Sequence, residues 1–229
     1  MRWRRALWAR LFLLAAVPGF LLAASPSAMA QAQEACPKAL LDQIQESYQA
    51  LRGFRGTFTQ QDTQHDGSAV TAEGELAYLK PGRMRWTYHP PHEQLLVTDG
   101  GTVWLYDPIL ENVTIQPLKG MTQGTPLAFL LGVGNLQADF SCRAQTRKAP
   151  ADELRYLELV PRKAIPTLKF MQLGVRMPDA RILALVMVDK RDQARVVRFT
   201  ELTQTADFPQ GFFTFEVKEG MEVIRREEG

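Results

Sequence analysis

Arg83-Met84-Arg85-Trp86-Thr87-Tyr88, followed by Gln94-Leu95-Leu96-Val97-Thr98-Asp99-Gly100-Gly101-Thr102-Val103-Trp104-Leu105-Tyr106, is the stretch on which the fold turns. In the first run Met84, Trp86 and Tyr88 alternate with Arg83, Arg85 and Thr87. That period of two belongs to a strand with one covered face. The second run places two apolar segments around Asp99-Gly100-Gly101, a hairpin signal. Working outward, Phe54, Gly56, Phe58 and Gln60 alternate with Arg55, Thr57 and Thr59, and strands are predicted over 72–79 and 112–118. Further strands are predicted over 139–145, 153–160, 167–177, 181–189, 195–204 and 212–217, with turns at Pro178-Asp179 and Lys190-Arg191-Asp192. About a dozen short strands with little helix point to a sandwich or barrel and away from a βαβ fold.

Two segments break this rhythm. Residues 38–52 read as a helix, because Leu41, Ile44, Tyr48 and Leu51 fall on one face and Gly53 stops it. Around 125–132, Thr125 can cap a short helix with Pro126 at its first position, followed by Leu127, Phe129, Leu130 and Leu131. That piece is apolar nearly all round, so it is either deeply buried or covers something apolar.

The amino terminus carries Arg2, Arg4, Arg5 and Arg10, an uncharged run and Ala28-Met29-Ala30. This is the pattern of a cleaved secretory signal over residues 1–30, with an apolar run too short to span a bilayer. The remaining residues, 31–229, suit one domain. Removing four of the 27 basic residues and none of the 25 acidic ones leaves 23 against 25. A nucleic-acid partner is not expected of so balanced a chain. Export favours an oxidised pair between the two cysteines, Cys36 and Cys142. Lipid attachment at Cys36 is not expected, since Gln33-Glu34-Ala35 precede it and resemble no acylation signal.

Catalytic and metal chemistry finds few parts. The three histidines are His65, His89 and His92, and His89-Pro90-Pro91-His92 lacks enough neighbouring ligands for a metal site. Ser47, Ser68 and Ser141 sit in no nucleophile elbow, and no glycine-rich phosphate loop is present. Neither an enzyme nor a cofactor is expected on these grounds.

What stands out is apolar surface: Phe58, Met84, Trp86 and Trp104. An ordinary core accounts for most such residues. The sharper reading is a sheet curved around an apolar cavity with the helices as covers. Six methionines outside the signal suit a surface that adapts to varied apolar guests.

Leu79-Lys80-Pro81-Gly82-Arg83-Met84-Arg85-Trp86, residues 94–108, Phe54 with Phe58-Thr59-Gln60, Gly124-Thr125-Pro126 and Phe213-Thr214-Phe215 together resemble the outer-membrane lipoprotein carrier family (LolA). The resemblance implies a mainly β fold: an incomplete, open antiparallel barrel whose apolar cavity is covered by an α-helical lid. It implies a periplasmic monomer that takes acylated lipoproteins from an inner-membrane ABC transporter and passes them to an outer-membrane receptor. Phe58, Met84, Trp86, Leu96 and Trp104 would line the cavity. Leu41, Ile44, Tyr48 and Leu51, with Leu127, Leu130 and Leu131, would form the lid. Lys80 stands where the family usually has an arginine that helps hold the lid shut; with fewer, less fixed donors, a lysine latch would be weaker. The alternatives on the same fold are a lipid-sensing module and the anchored outer-membrane receptor. The receptor needs an acylated cysteine where Gln31 stands.

Overall fold

The computed structural model describes residues 36–119, 134–143, 150 and 152–226. The chain divides into two units, Met1–Ala32 and Gln33–Gly229. The first, with the expected signal sequence, lies outside the described residues, as does the second lid segment with Leu127, Leu130 and Leu131.

Helix α1 (Lys38–Ala50) is followed by β1 (Gly53–Thr63), β2 (Ala69–Leu79), β3 (Arg83–Tyr88), β4 (Gln94–Asp99), β5 (Thr102–Asp107) and β6 (Asn112–Pro117). A short helix α2 (Leu136–Asp139) leads to β7 (Phe140–Arg143), β8 (Arg155–Pro161), β9 (Phe170–Arg176), β10 (Arg181–Val188), β11 (Ala194–Gln204) and β12 (Glu222–Arg225). All twelve strands form one sheet in the order β12-β6-β5-β4-β3-β2-β1-β11-β10-β9-β8-β7. The end strands β12 and β7 do not pair, so the sheet is open. Neighbours run antiparallel except β12, which lies parallel to β6. The hairpin between β4 and β5 forms as its residues dictate. Asp99 Oδ1 accepts from the backbone N–H groups of Gly101 and Thr102, each at 2.8 Å, and Gly100 takes φ 104°, open to glycine at no steric cost.

Cross-strand register separates the two faces of the sheet. Phe58 pairs with Gly74 and Phe199, Leu76 with Trp86, Tyr78 with Met84, Leu185 with Val197 and Leu173, and Leu157 with Leu173. These residues share the inner face, and all but Gly74 belong to one large buried cluster or, like Trp86, pack against it. Leu40, Leu41 and Ile44 of α1 belong to that cluster, with Tyr48 and Leu51 packed at its edge. The outer face has its own cover on β8–β11, where Tyr156, Phe170, Ala184, Val186 and Val188 cluster.

One expectation fails at the carboxyl end. Residues 212–217 are not a strand. Phe212 and Phe213 are adjacent yet both pack on Phe208, at ring separations of 5.3 and 4.9 Å, so the chain cannot alternate there. This segment lies along the outer face: Phe215 meets Tyr106 at 5.2 Å, and the Arg85 guanidinium sits 5.5 Å from the centre of the Phe212 ring. The chain then supplies β12, a strand its Glu-Val-Ile-Arg sequence did not announce.

Candidate functional site

The inner face beneath α1 is the candidate site. β1 brings Phe54 and Phe58, β2 brings Leu76 and Tyr78, β3 brings Met84 and Trp86, and β11 brings Phe199. Phe58 lies 4.8 Å from Trp86 and 5.0 Å from Tyr88, ring to ring, and Trp86 lies 6.1 Å from Phe199, all within the range of favourable aromatic pairs. Gly74 makes this density possible. A Cβ there would stand 2.0 Å from the Thr87 carbonyl oxygen and 2.9 Å from Phe58 Cε1.

Helix α1 closes the site. Its apolar face arises from the spacing of Leu41, Ile44, Tyr48 and Leu51, with Leu40 added, a residue the periodicity reading missed. Where it packs on the sheet among the described residues, one void of about 10 Å³ is lined by Tyr48, Phe54, Met84 and Trp86 among others, and one of about 30 Å³ by Tyr48, Leu51 and Leu202 among others. Each has room for a water or two and not for an acyl chain, so the helix packs closely on the sheet at these two places. Burial raises the Tyr48 and Tyr78 hydroxyls above their ordinary values, so both stay neutral.

Several contacts fasten α1, among them Gln43 Nε2 donating to the Pro178 carbonyl at 2.9 Å. Cys36, just before the helix, is bonded to Cys142 of β7, with Cα atoms 5.7 Å apart. At the middle, Gln45 Oε1 accepts from the Leu136 N–H at 3.0 Å, and Gln137 Nε2 donates to Asp42. At the far end, Lys80 Nζ donates to the carbonyls of Tyr48 (2.8 Å) and Gln49 (2.6 Å). These are last-turn carbonyls without helical partners, at the negative end of the helix dipole. Burial lowers the Lys80 ammonium below its ordinary value.

The apolar lining gives way to polar groups along the strands. Tyr88 OH donates to Gln60 Oε1 (2.9 Å), and Gln60 Nε2 donates to Asp62 Oδ2 (3.1 Å). Arg195 then donates from Nε and Nη2 to the two Asp62 oxygens, both at 2.8 Å. Asp62 and Arg195 border two surface clefts of about 390 and 310 Å³.

The structure gathers four of the five expected cavity residues. Phe58 and Met84 are buried, Trp86 packs beside them, and Leu96 pairs with Trp86 on the same face. Trp104 is a correction. It pairs with Val97 and Ile115, and Val97 pairs with Arg85, so Trp104 lies on the outer face. Both faces of β4 and β5 are partly covered, so alternation alone could not assign it. Phe54, Tyr78, Ile182, Phe199 and Leu202 also line the site; period-two patterns in β1 and β2 carried the signal for Phe54 and Tyr78, whereas register shifts in β10 and β11 break the alternation that would place Ile182 and Leu202. Among the described residues no cluster of His, Cys, Asp or Glu could hold a metal ion, and no helix is long and apolar enough to cross a membrane.

A curved, open sheet with an apolar inner face shut by an amino-terminal helix is the architecture here. The description "Outer membrane lipoprotein carrier protein LolA" matches residues 49–216, and the chain belongs to that family. It is 31% identical to the outer-membrane lipoprotein carrier protein of Bordetella pertussis, over 89% of this chain and 91% of that one. It is 30% identical to the protein of the same name in Cupriavidus taiwanensis, over 87% and 94%. A solved structure of an uncharacterised conserved protein from Thermus thermophilus superposes with a TM-score of 0.51 at 16% identity, covering 82% of this chain and 98% of that one, a likeness of fold.

Proposed function

We propose that this protein carries acylated lipoproteins through the periplasm, holding their acyl chains against the inner face of the sheet. The observation that carries the reading is the apolar inner face on which, among the described residues, the amphipathic helix α1 packs, in a chain of the lipoprotein-carrier family. Each acyl CH₂ moved out of water contributes about 0.8 kcal/mol, so a lipoprotein needs such a shelter to cross an aqueous space. The two voids between α1 and the sheet are too small for an acyl chain, so α1 moves off the sheet as chains enter. Lys80 is the latch, and Phe58, Met84, Trp86 and Leu96 are the lining. Few directed polar contacts reach that lining, which suits a carrier that must release what it binds.

The donor is an inner-membrane ABC transporter and the acceptor an outer-membrane receptor whose own apolar site competes for the chains. No bond is made or broken, and motion of the cover sets the rate.

The test uses the purified protein and membranes bearing newly made lipoproteins. A soluble one-to-one complex is expected. Trp86→Glu, which puts a charge into the lining, should form at least tenfold less complex while remaining folded by circular dichroism. Lipoproteins that stay on the membrane with the unaltered protein would overturn the reading.

A further inference from the structure

The inner face holds one polar group that the carrier reading leaves unused. Among the described residues, Trp86 Nε1 is a buried side-chain donor with no hydrogen-bond partner. Its surroundings explain why. The neighbouring rings are Phe58 at 4.8 Å, Phe199 at 6.1 Å and Tyr88 at 6.5 Å between centres. The void that Trp86 borders is otherwise lined by Tyr48, Tyr78 and apolar side chains. The Tyr88 hydroxyl donates to Gln60, and Gln60 to Asp62, so this polar chain does not include the indole. Buried N–H groups are almost always paired, and an unpaired one destabilises the state that contains it. A phenylalanine would fill this aromatic cluster without that penalty.

We propose that Trp86 Nε1 is a recognition donor for the acyl-ester carbonyl of bound cargo. This rests on the carrier reading and deepens it: the lining recognises the point where chain meets glycerol as well as the chain itself. The acceptor must be neutral, because a carboxylate among these rings would lack the pairing a buried charge requires. An ester carbonyl is neutral and lies at the head of an apolar chain, so both parts of one ligand are satisfied at once. The bond forms only with cargo in place, so the empty site holds a donor whose acceptor the guest brings.

The experiment uses the full chain and two synthetic diacyl lipopeptides, identical except that ester links to glycerol are replaced by ether links in the second. One hydrogen bond gained is worth about tenfold in affinity. The unaltered protein should bind the ester form about tenfold more tightly, and Trp86→Phe should bind both forms alike, at the ether level. Empty Trp86→Phe should melt no lower than the parent. An ester and ether pair of phospholipids offered in parallel should show the same discrimination, since the carbonyl is what is read. If Trp86→Phe folds poorly, replacing the indole by benzothiophene removes the N–H while keeping the bicyclic shape, and discrimination should vanish again. Equal binding of ester and ether forms by the unaltered protein overturns the donor role and leaves the carrier reading standing. Discrimination that survives loss of the N–H, or that is confined to the peptide-bearing lipids, also overturns it. Failure to bind either lipopeptide overturns both readings.

Discussion

Lys80→Met keeps an unbranched apolar stem and deletes the ammonium that fastens the end of α1. Two hydrogen bonds go with it, to the carbonyls of Tyr48 and Gln49 at 2.8 and 2.6 Å. Hydrogen bonds to charged groups contribute about 1.5–3 kcal/mol each when well buried, but this end of the helix meets solvent and water replaces part of the loss. A cation at a helix carboxyl end contributes about 0.3–1 kcal/mol, so about 1–2 kcal/mol for the whole contact is a fair magnitude. At 1.4 kcal/mol per factor of ten, the population with α1 detached rises about 5- to 30-fold. Native-state hydrogen exchange reads this directly. Amides of Ile44 and Tyr48 should exchange faster by that factor, while the Leu173 amide in the middle of β9 stays as it was. Lys80→Arg should give no acceleration, since its donors can serve the same carbonyls. If α1 exchanges no faster in Lys80→Met, or if every amide accelerates equally, the latch assignment is refuted.

Other consequences can be measured. Opening the Cys36–Cys142 bond, whose partners stand 106 residues apart, by Cys36→Ser with Cys142→Ser should cost up to about 4–5 kcal/mol in urea unfolding, following the chain-entropy account. Gly74→Ala should destabilise by more than about 2 kcal/mol, because its methyl would stand 2.0 Å from a backbone oxygen that cannot step aside; an unchanged melting temperature would show that the strands separate freely there. The Lys38 ammonium beside Asp42, with help from Gln137, holds the Asp42 carboxyl below its ordinary value. Its contribution is therefore present above the ordinary carboxylate pKa near 3.9 and lost as pH falls through the lowered one. Asp42→Asn should show a smaller loss of α1 protection between neutral pH and about pH 3 than the parent does; equal losses would remove Asp42 from the account.

How far the sequence disclosed this molecule depended on whether the two faces of an element differ in residue type. β3 is partly covered on both faces, but Arg83, Arg85 and Thr87 against Met84, Trp86 and Tyr88 placed it residue for residue. The α1 stripe was readable for the same reason, although adjacent Leu40 and Leu41 both turned inward. β8 and β9 are buried on both sides, Tyr156 outward beside Leu157 inward, so their existence was legible and their inner residues were not. Trp104 failed in the same way: the carboxyl-terminal chain lies along the outer face of β3 and β5, and an aromatic residue there looks in sequence like one on the inner face. β12 gave no pattern because all four of its residues are exposed; it exists through its pairing with β6. Trp86 was legible as apolar lining, but its unpaired N–H was not, since that depends on which neighbours fail to offer an acceptor.

The covalent bond at Cys36 has a mechanical meaning for a cover that opens. Of the fastenings on α1, one cannot let go at all and the rest are hydrogen bonds. Because the helix also runs on from Ala50 through two residues into β1 at Gly53, it is held covalently near both ends, and on the carrier reading it lifts or rolls as a strap between them, beside the small voids that Tyr48 borders. Because these two attachments keep the strap within reach of its seat, shutting is an intramolecular step at high effective concentration, and the exposed lining spends little time open to water. A reduced protein would keep only the attachment through β1, and its open state would be longer-lived and prone to self-association through the bared sheet.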